Sequence, residues 1–208
     1  MAKKKATEIV FILDRSGSMS HLADDTIGGF NSFVKEQQKL DEGDAFLTLV
    51  LFDDQYDIIY ESKDIDEVPV LDNKTYYARG MTALNDAIGR TIASFKPKTK
   101  SSKVVFVVTT DGYENASTEY KNKQIKELIE EKKLKKNGAW EFLFLGANID
   151  SFSVGDSYGV SAVHTSNFTA TAKGMSTMYL GISRGISDYR SSTSEDATIT
   201  EDWKEEIE

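Results

Sequence analysis

Oxygen donors at three separated places carry the most specific chemical signal in this chain. Asp14, Ser16 and Ser18 alternate within Asp14-Arg15-Ser16-Gly17-Ser18, Thr82 follows Arg79-Gly80-Met81, and Asp111 precedes Gly112 in Thr109-Thr110-Asp111-Gly112. Spaced by two across a tight turn opened by Gly17, the first three can present their oxygens to one point, and Thr82 and Asp111 can close the ring. Two carboxylates and three hydroxyls make a hard oxygen set suited to Mg2+, which takes octahedral ligands at ~2.0–2.1 Å and is held by one or two carboxylates with water filling the rest. Mn2+ and Ca2+ are alternatives for such donors. With only two formal negative charges around it, the dication stays electrophilic and keeps room for an outside oxygen. An Asp or Glu carboxylate of a partner protein fits that place.

Those donors must be held by strands. Glu8–Leu13 is a short, continuous, β-branched apolar run, the pattern of a strand buried on both faces. Leu22–Leu40 carries Ile27, Phe30, Phe33, Val34 and Leu40 at helical steps. Strands are expected at Ala45–Phe52 and Asp57–Glu61, a loop around Asp72–Met81, and a helix over Thr82–Phe95 with Thr82 at or near its cap. The alternation continues with strand Lys103–Thr109, helix Thr118–Lys136, strand Trp140–Leu145, helix Ser153–Tyr158, strand Ala162–His164 and helix Thr169–Tyr189. Strands alternating with helices imply a three-layer α/β domain, a Rossmann-like, doubly wound, mostly parallel sheet with helices on both faces. In such sheets ligands bind beyond the carboxyl ends of the strands, where Asp14 and Asp111 fall.

A length of 208 residues suits one well-filled domain, given ~150 per domain. Residues 1–6 read as a basic arm, 7–190 as the domain, and 191–208, rich in Ser, Thr and acids, as a mobile acidic tail that Trp203 and Ile207 could dock. The net charge of −9 disfavours nucleic acid and anionic membranes as partners. Zero cysteines exclude disulfides and thiolate metal sites. The longest apolar runs, Ile9–Leu13 and Val104–Val108, are too short to span a bilayer, and the stretch after Lys3–Lys5 is too short for a secretory signal. The expected compartment is cytoplasmic.

The five donors, in their order and each after an apolar strand or before a helix, resemble the von Willebrand factor A domains that carry a metal-ion-dependent adhesion site (MIDAS). The D-x-S-x-S element of that family matches Asp14, Ser16 and Ser18, its separate threonine matches Thr82, and its later aspartate matches Asp111. The resemblance covers residues 7 to 190. It implies a Rossmann-like fold that binds Mg2+ or Mn2+ and grips an acidic residue of a partner protein through the open coordination position. In integrin-like members metal coordination is linked to displacement of the last helix, which would be Thr169–Tyr189. In size and lack of a signal the chain resembles the stand-alone intracellular modules of bacteria and their phages.

Arg15, His21, Tyr76, Tyr77, Arg79, Met81, Tyr113 and Asn115 lie on loops expected around the metal, and their types suit a protein contact surface. Asp53, Asp54 and Asp57 read as a solvated acidic turn, because the spacing and glycine of an EF-hand are absent. The competing class is an enzyme similar to haloacid-dehalogenase-like phosphotransferases, with Asp14 as nucleophile and Asp156 as a late metal ligand. That mechanism needs an acid two residues after the nucleophile, where this chain has Ser16. A P-loop is missing, and hydrolytic triads have no support. The expectation is a binding module without catalysis.

Overall fold

The computed structural model describes residues 5–99, 102–134, 140–194 and 196–207. The apolar runs form the sheet: β1 (Thr7–Asp14), β2 (Ala45–Phe52), β3 (Tyr56–Asp64), β4 (Lys103–Thr110), β5 (Glu141–Gly146) and β6 (Thr165–Asn167). The helices are α1 (Ala23–Gln38), α2 (Leu84–Ser94), α3 (Asn122–Lys132), α4 (Ser151–Ser157) and α5 (Ala172–Ser191). The strand order is β3-β2-β1-β4-β5-β6. All pairs are parallel except β2 with β3 at the edge.

Every residue of β1 and β4 is buried, as sheet centres covered on both faces require. Alternation along β1 divides the core. Ile9, Phe11 and Leu13 pack with α1 and α5 residues such as Phe30, Phe33, Tyr179 and Ile182. Val10 and Ile12 pack on the other face with Ile88 and Ile92 of α2 and Ile125 and Ile129 of α3. Phe11 meets the rings of Phe30 and Phe33 edge-on at 5.5 and 4.9 Å, a preferred aromatic geometry. In register, Asp14 lies opposite Phe52, and Leu13 opposite Thr109, so the ends of β1, β2 and β4 are level. The chain order reverses between β1 and β4, the switch point at which such folds open a crevice.

Several expected boundaries shift for physical reasons. Residues 53–55 are too short a connection for a crossover, so β3 turns back antiparallel. A 3-10 turn, Gly17–Leu22, intervenes before α1. The backbone N–H groups of Thr118, Glu119 and Tyr120 go to the Asp86 carboxylate at 2.8–2.9 Å, which delays α3 to Asn122. Residues 135 and 136 of that expected helix lie outside the described residues. Ala162–His164, expected as a strand, is a 3-10 turn, and the strand is Thr165–Asn167.

In the stretch after residue 191, read from composition as mobile with Trp203 and Ile207 able to dock it, described residues do pack on the domain. Ile199 and Trp203 are buried, and the Trp203 indole N–H donates to the Val163 carbonyl at 2.9 Å. Gly185 of α5 makes room for it, since a Cβ there would lie 2.8 Å from Trp203 Cβ. No helix among the described residues is long and apolar enough to cross a membrane.

Candidate metal centre

The five donors meet at the carboxyl end of the sheet. Asp14 is the last residue of β1 and is buried. Its Oδ1 accepts the Ser16 backbone N–H at 2.6 Å, a local turn that folds the chain back, and its Oδ2 accepts the Thr110 hydroxyl at 2.6 Å. Ser18 Oγ donates to Asp111 Oδ1 at 2.5 Å and lies 3.1 Å from Ser16 Oγ. Thr82 stands just before the helix and makes no cap, because the capping position belongs to Ala83. Its backbone is fixed instead by Asn115, whose Oδ1 accepts the Thr82 N–H at 2.9 Å and whose own N–H donates to the Thr82 carbonyl at 3.0 Å. Gly112 lies between them: a Cβ there would sit 3.6 Å from Thr82 Oγ1 and 3.8 Å from Ser18 Oγ.

Two features mark this cluster as electrostatically unfinished. Among the described residues, Asp111 Oδ2 is buried and finds no hydrogen-bond partner, an arrangement that costs about 1–3 kcal/mol or more for a charged oxygen. Burial also pushes the Asp14 carboxyl up to about 6, against the hydrogen bonds from Thr110 and Ser16 that favour its charged form, with Asp111 adding repulsion. A cation among these oxygens relieves both, so the donor set fits a hard divalent ion. Among the described residues, no group of three or more His, Asp or Glu side chains is placed to hold a metal, which leaves the two carboxylates and their hydroxyls as the candidate.

The supports come from residues that sequence reasoning placed elsewhere. Asp53, read as part of a solvated turn, is fully buried: its Oδ2 accepts Arg15 Nε at 3.2 Å and Arg79 Nε at 2.6 Å. Arg15, read as surface, is buried too, and its Nη2 donates to Asp57 Oδ2 at 2.5 Å. Tyr76, also read as surface, is buried and its hydroxyl donates to the Asp14 carbonyl at 2.7 Å. The turn carrying Ser16 and Ser18 is tied to the loop carrying Thr82 by Gly17 N–H to the Gly80 carbonyl at 3.1 Å and Arg79 N–H to the Arg15 carbonyl at 2.8 Å. Gly80 adopts φ +66°, a left-handed conformation that strains any residue with a side chain, so glycine is favoured there.

A second clasp holds the Asp111 loop. Glu114 accepts backbone N–H bonds from Asn85, Ala116 and Ser117 at 2.7–2.9 Å, joining that loop to the start of α2. Thr110, Asp86 and Glu114 were not singled out from the sequence. Their partners lie about 30 residues away or more for Asp86 and for the Glu114–Asn85 bond, and 96 for Thr110, beyond any local pattern.

Gly112→Ala tests the fit with little disturbance, because the added methyl makes ordinary contacts with Thr82 Oγ1 and Ser18 Oγ. The variant is expected to melt in EDTA within about 1 kcal/mol of wild type. Calorimetric titration should show Mg2+ affinity reduced about tenfold or more, or about 1.4 kcal/mol.

The von Willebrand factor type A domain model matches residues 8–180. Among solved structures, the fold is similar to proximal thread matrix protein 1 from the mussel byssus with a zinc-occupied MIDAS motif, at TM-score 0.67 and 16% identity over 88% of this chain and 46% of that one. It is also similar to the PilB minor pilin from Streptococcus sanguinis, at TM-score 0.67 and 13% identity over 90% of this chain and 62% of that one. A third likeness is to the pilus adhesin SpaC from Lactobacillus rhamnosus GG in an open conformation, at TM-score 0.65 and 14% identity over 89% and 31%. The chain spans less than two thirds of each of these proteins, and at such identities the likeness is one of fold. No curated protein sequence matches significantly. With its β3-β2-β1-β4-β5-β6 sheet and a match over most of its length, the chain belongs to the von Willebrand factor type A domain family.

Proposed function

We propose that this domain is a divalent-metal-dependent protein-binding module in which Asp14, Ser16, Ser18, Thr82 and Asp111 hold Mg2+, with Mn2+ or Ca2+ as alternatives. The observation that carries this reading is the buried Asp111 Oδ2, which finds no hydrogen-bond partner among the described residues, in a cluster of oxygens from three separate segments. When bound, the ion supplies an electrophilic centre for an Asp or Glu carboxylate of another protein. Asp14 and Asp111 supply charge, directly or through water, and the hydroxyls of Ser16, Ser18 and Thr82 complete the set. The zinc-occupied MIDAS motif of the mussel protein and the presence of a pilus adhesin among the similar structures support a binding role over a catalytic one. The net charge of −9 argues against nucleic acid or an anionic membrane as the partner.

The phosphotransferase reading has less support. Ser16 stands where the leaving-group acid belongs.

Capture of partners from native lysate in Mg2+ or EDTA, beside an aryl phosphate assay, separates the readings. Metal-dependent capture that is lost in Asp111→Ala, without turnover, is expected. Turnover lost in Asp14→Asn, or capture indifferent to EDTA, would contradict the proposal.

A further inference from the structure

Three large apolar side chains stand exposed on the loops that carry the donors: Tyr77 at 45%, Met81 at 55% and Tyr113 at 57% of full exposure. Isolated exposed apolar residues are ordinary, but two of these are held in place. The Tyr77 ring lies against the guanidinium groups of Arg79 at 5.2 Å and Arg15 at 5.9 Å, and its hydroxyl accepts Arg79 Nη1 at 3.0 Å. The Tyr113 hydroxyl accepts the Asp150 backbone N–H at 3.2 Å, which spans from the β4 loop to the β5 loop. Aromatic side chains fixed before contact lose little further rotamer freedom when a partner arrives. Met81 sits between Gly80 and Thr82 and supplies the adaptable apolar element beside them.

The charges around the same loops are already matched. Arg15 and Arg79 border the donors, and both are paired with Asp53 and Asp57. Exposed Asp54 adds a further negative charge beside Gly80, on a molecule of net charge −9. A first carboxylate is attracted by the dication. A second one close by would find the arginines already engaged with aspartates, and exposed Asp54 beside Gly80 opposing it.

We propose that the partner presents a single acidic residue bordered by apolar or aromatic side chains, seated against Tyr77, Met81 and Tyr113, and not a cluster of acids. This rests on the metal-held carboxylate described above and adds the chemistry on either side of it.

The test is a displayed peptide library with one fixed Asp between random residues, panned on the full chain in Mg2+ and in EDTA. Mg2+-dependent selection should enrich apolar and aromatic residues over Asp and Glu beside the fixed acid by about tenfold, the ratio that 1.4 kcal/mol provides. In the double variant Met81→Ser, Tyr113→Ser, checked for folding by its melting in EDTA, that enrichment should fall severalfold while selection remains Mg2+-dependent. Acidic or unbiased flanks, or an apolar preference undiminished in the double variant, overturn the proposal. A library that shows no Mg2+ dependence at all instead refutes the metal-held carboxylate itself, and this proposal falls with it.

Discussion

Asp53→Ala is expected to lower the free energy of unfolding by about 3–5 kcal/mol, the loss typical when one partner of a buried ion pair is removed. Asp53 is fully buried and its Oδ2 joins the Nε atoms of Arg15 and Arg79. Without it the Arg15 guanidinium stays buried with only Asp57 to balance it. The loss is also geometric, because Asp53 Oδ1 accepts the Gln55 N–H at 2.5 Å and the Asp53 carbonyl accepts the Ala83 N–H at 2.9 Å beside Thr82. Asp57→Ala is the control: its side chain is 47% exposed, so water can replace much of what it gives Arg15 and a smaller loss is expected. Urea unfolding should show the two variants separated by their midpoints at equal slope. Equal, small shifts would mean that the arginines find water or other partners and that the clamp has no energetic weight.

The second large effect concerns the ion-free protein. Asp14 is buried, and its carboxyl is pushed from 3.8 to about 6 chiefly by loss of hydration. A carboxyl with a raised folded value favours the native state while protonated. The penalty begins as pH rises past the unfolded value near 4 and is complete above about 6. At about 1.4 kcal/mol per pKa unit, it approaches about 3 kcal/mol at neutral pH. Asp14→Asn removes the charge but keeps the bonds: its Oδ1 can accept the Ser16 N–H, and its amide can donate to Thr110 Oγ1, whose hydroxyl has the Gly112 carbonyl 3.0 Å away. In EDTA the variant should therefore be more stable than wild type above about pH 6, with the two converging near pH 4. Saturating Mg2+ should reverse the order. A pH-independent difference in EDTA, or one of opposite sign, would show that Asp14 is not strained by burial.

Much of the positioning machinery was legible in the sequence, because it follows local patterns. Continuous runs such as EIVFIL and KVVFVVTT mark strands buried on both faces, and residues just past them fall at the sheet's carboxyl end. Asp14, Ser16, Ser18, Thr82 and Asp111 could be named from types and order, and the structure brings their segments together. What holds those segments was not legible. Asp53-Asp54-Gln55 reads as solvated until Arg15, 38 residues earlier, and Arg79, 26 residues later, are placed beside it. Tyr76 looks like one more loop aromatic until its hydroxyl is seen under the Asp14 carbonyl. Polar composition suggested a mobile last segment, while Trp203 and Ile207 offered the means to dock it; the part played by Ile199 and by the room at Gly181 and Gly185 of α5 left no sequence signal. Local periodicity reports which face of an element is apolar. Buried polar contacts between distant segments leave no such period.

Thermal unfolding across a Mg2+ titration tests the central claim most directly. A ligand that binds only the native state adds about 2.7 kcal/mol at 100 times its dissociation constant. Wild type should show a melting temperature that climbs with Mg2+, and Asp111→Ala, stripped of the unpaired carboxylate oxygen, should show none of that climb. A wild-type curve unmoved by Mg2+, Mn2+ or Ca2+, or an Asp111→Ala curve that climbs equally, would contradict it.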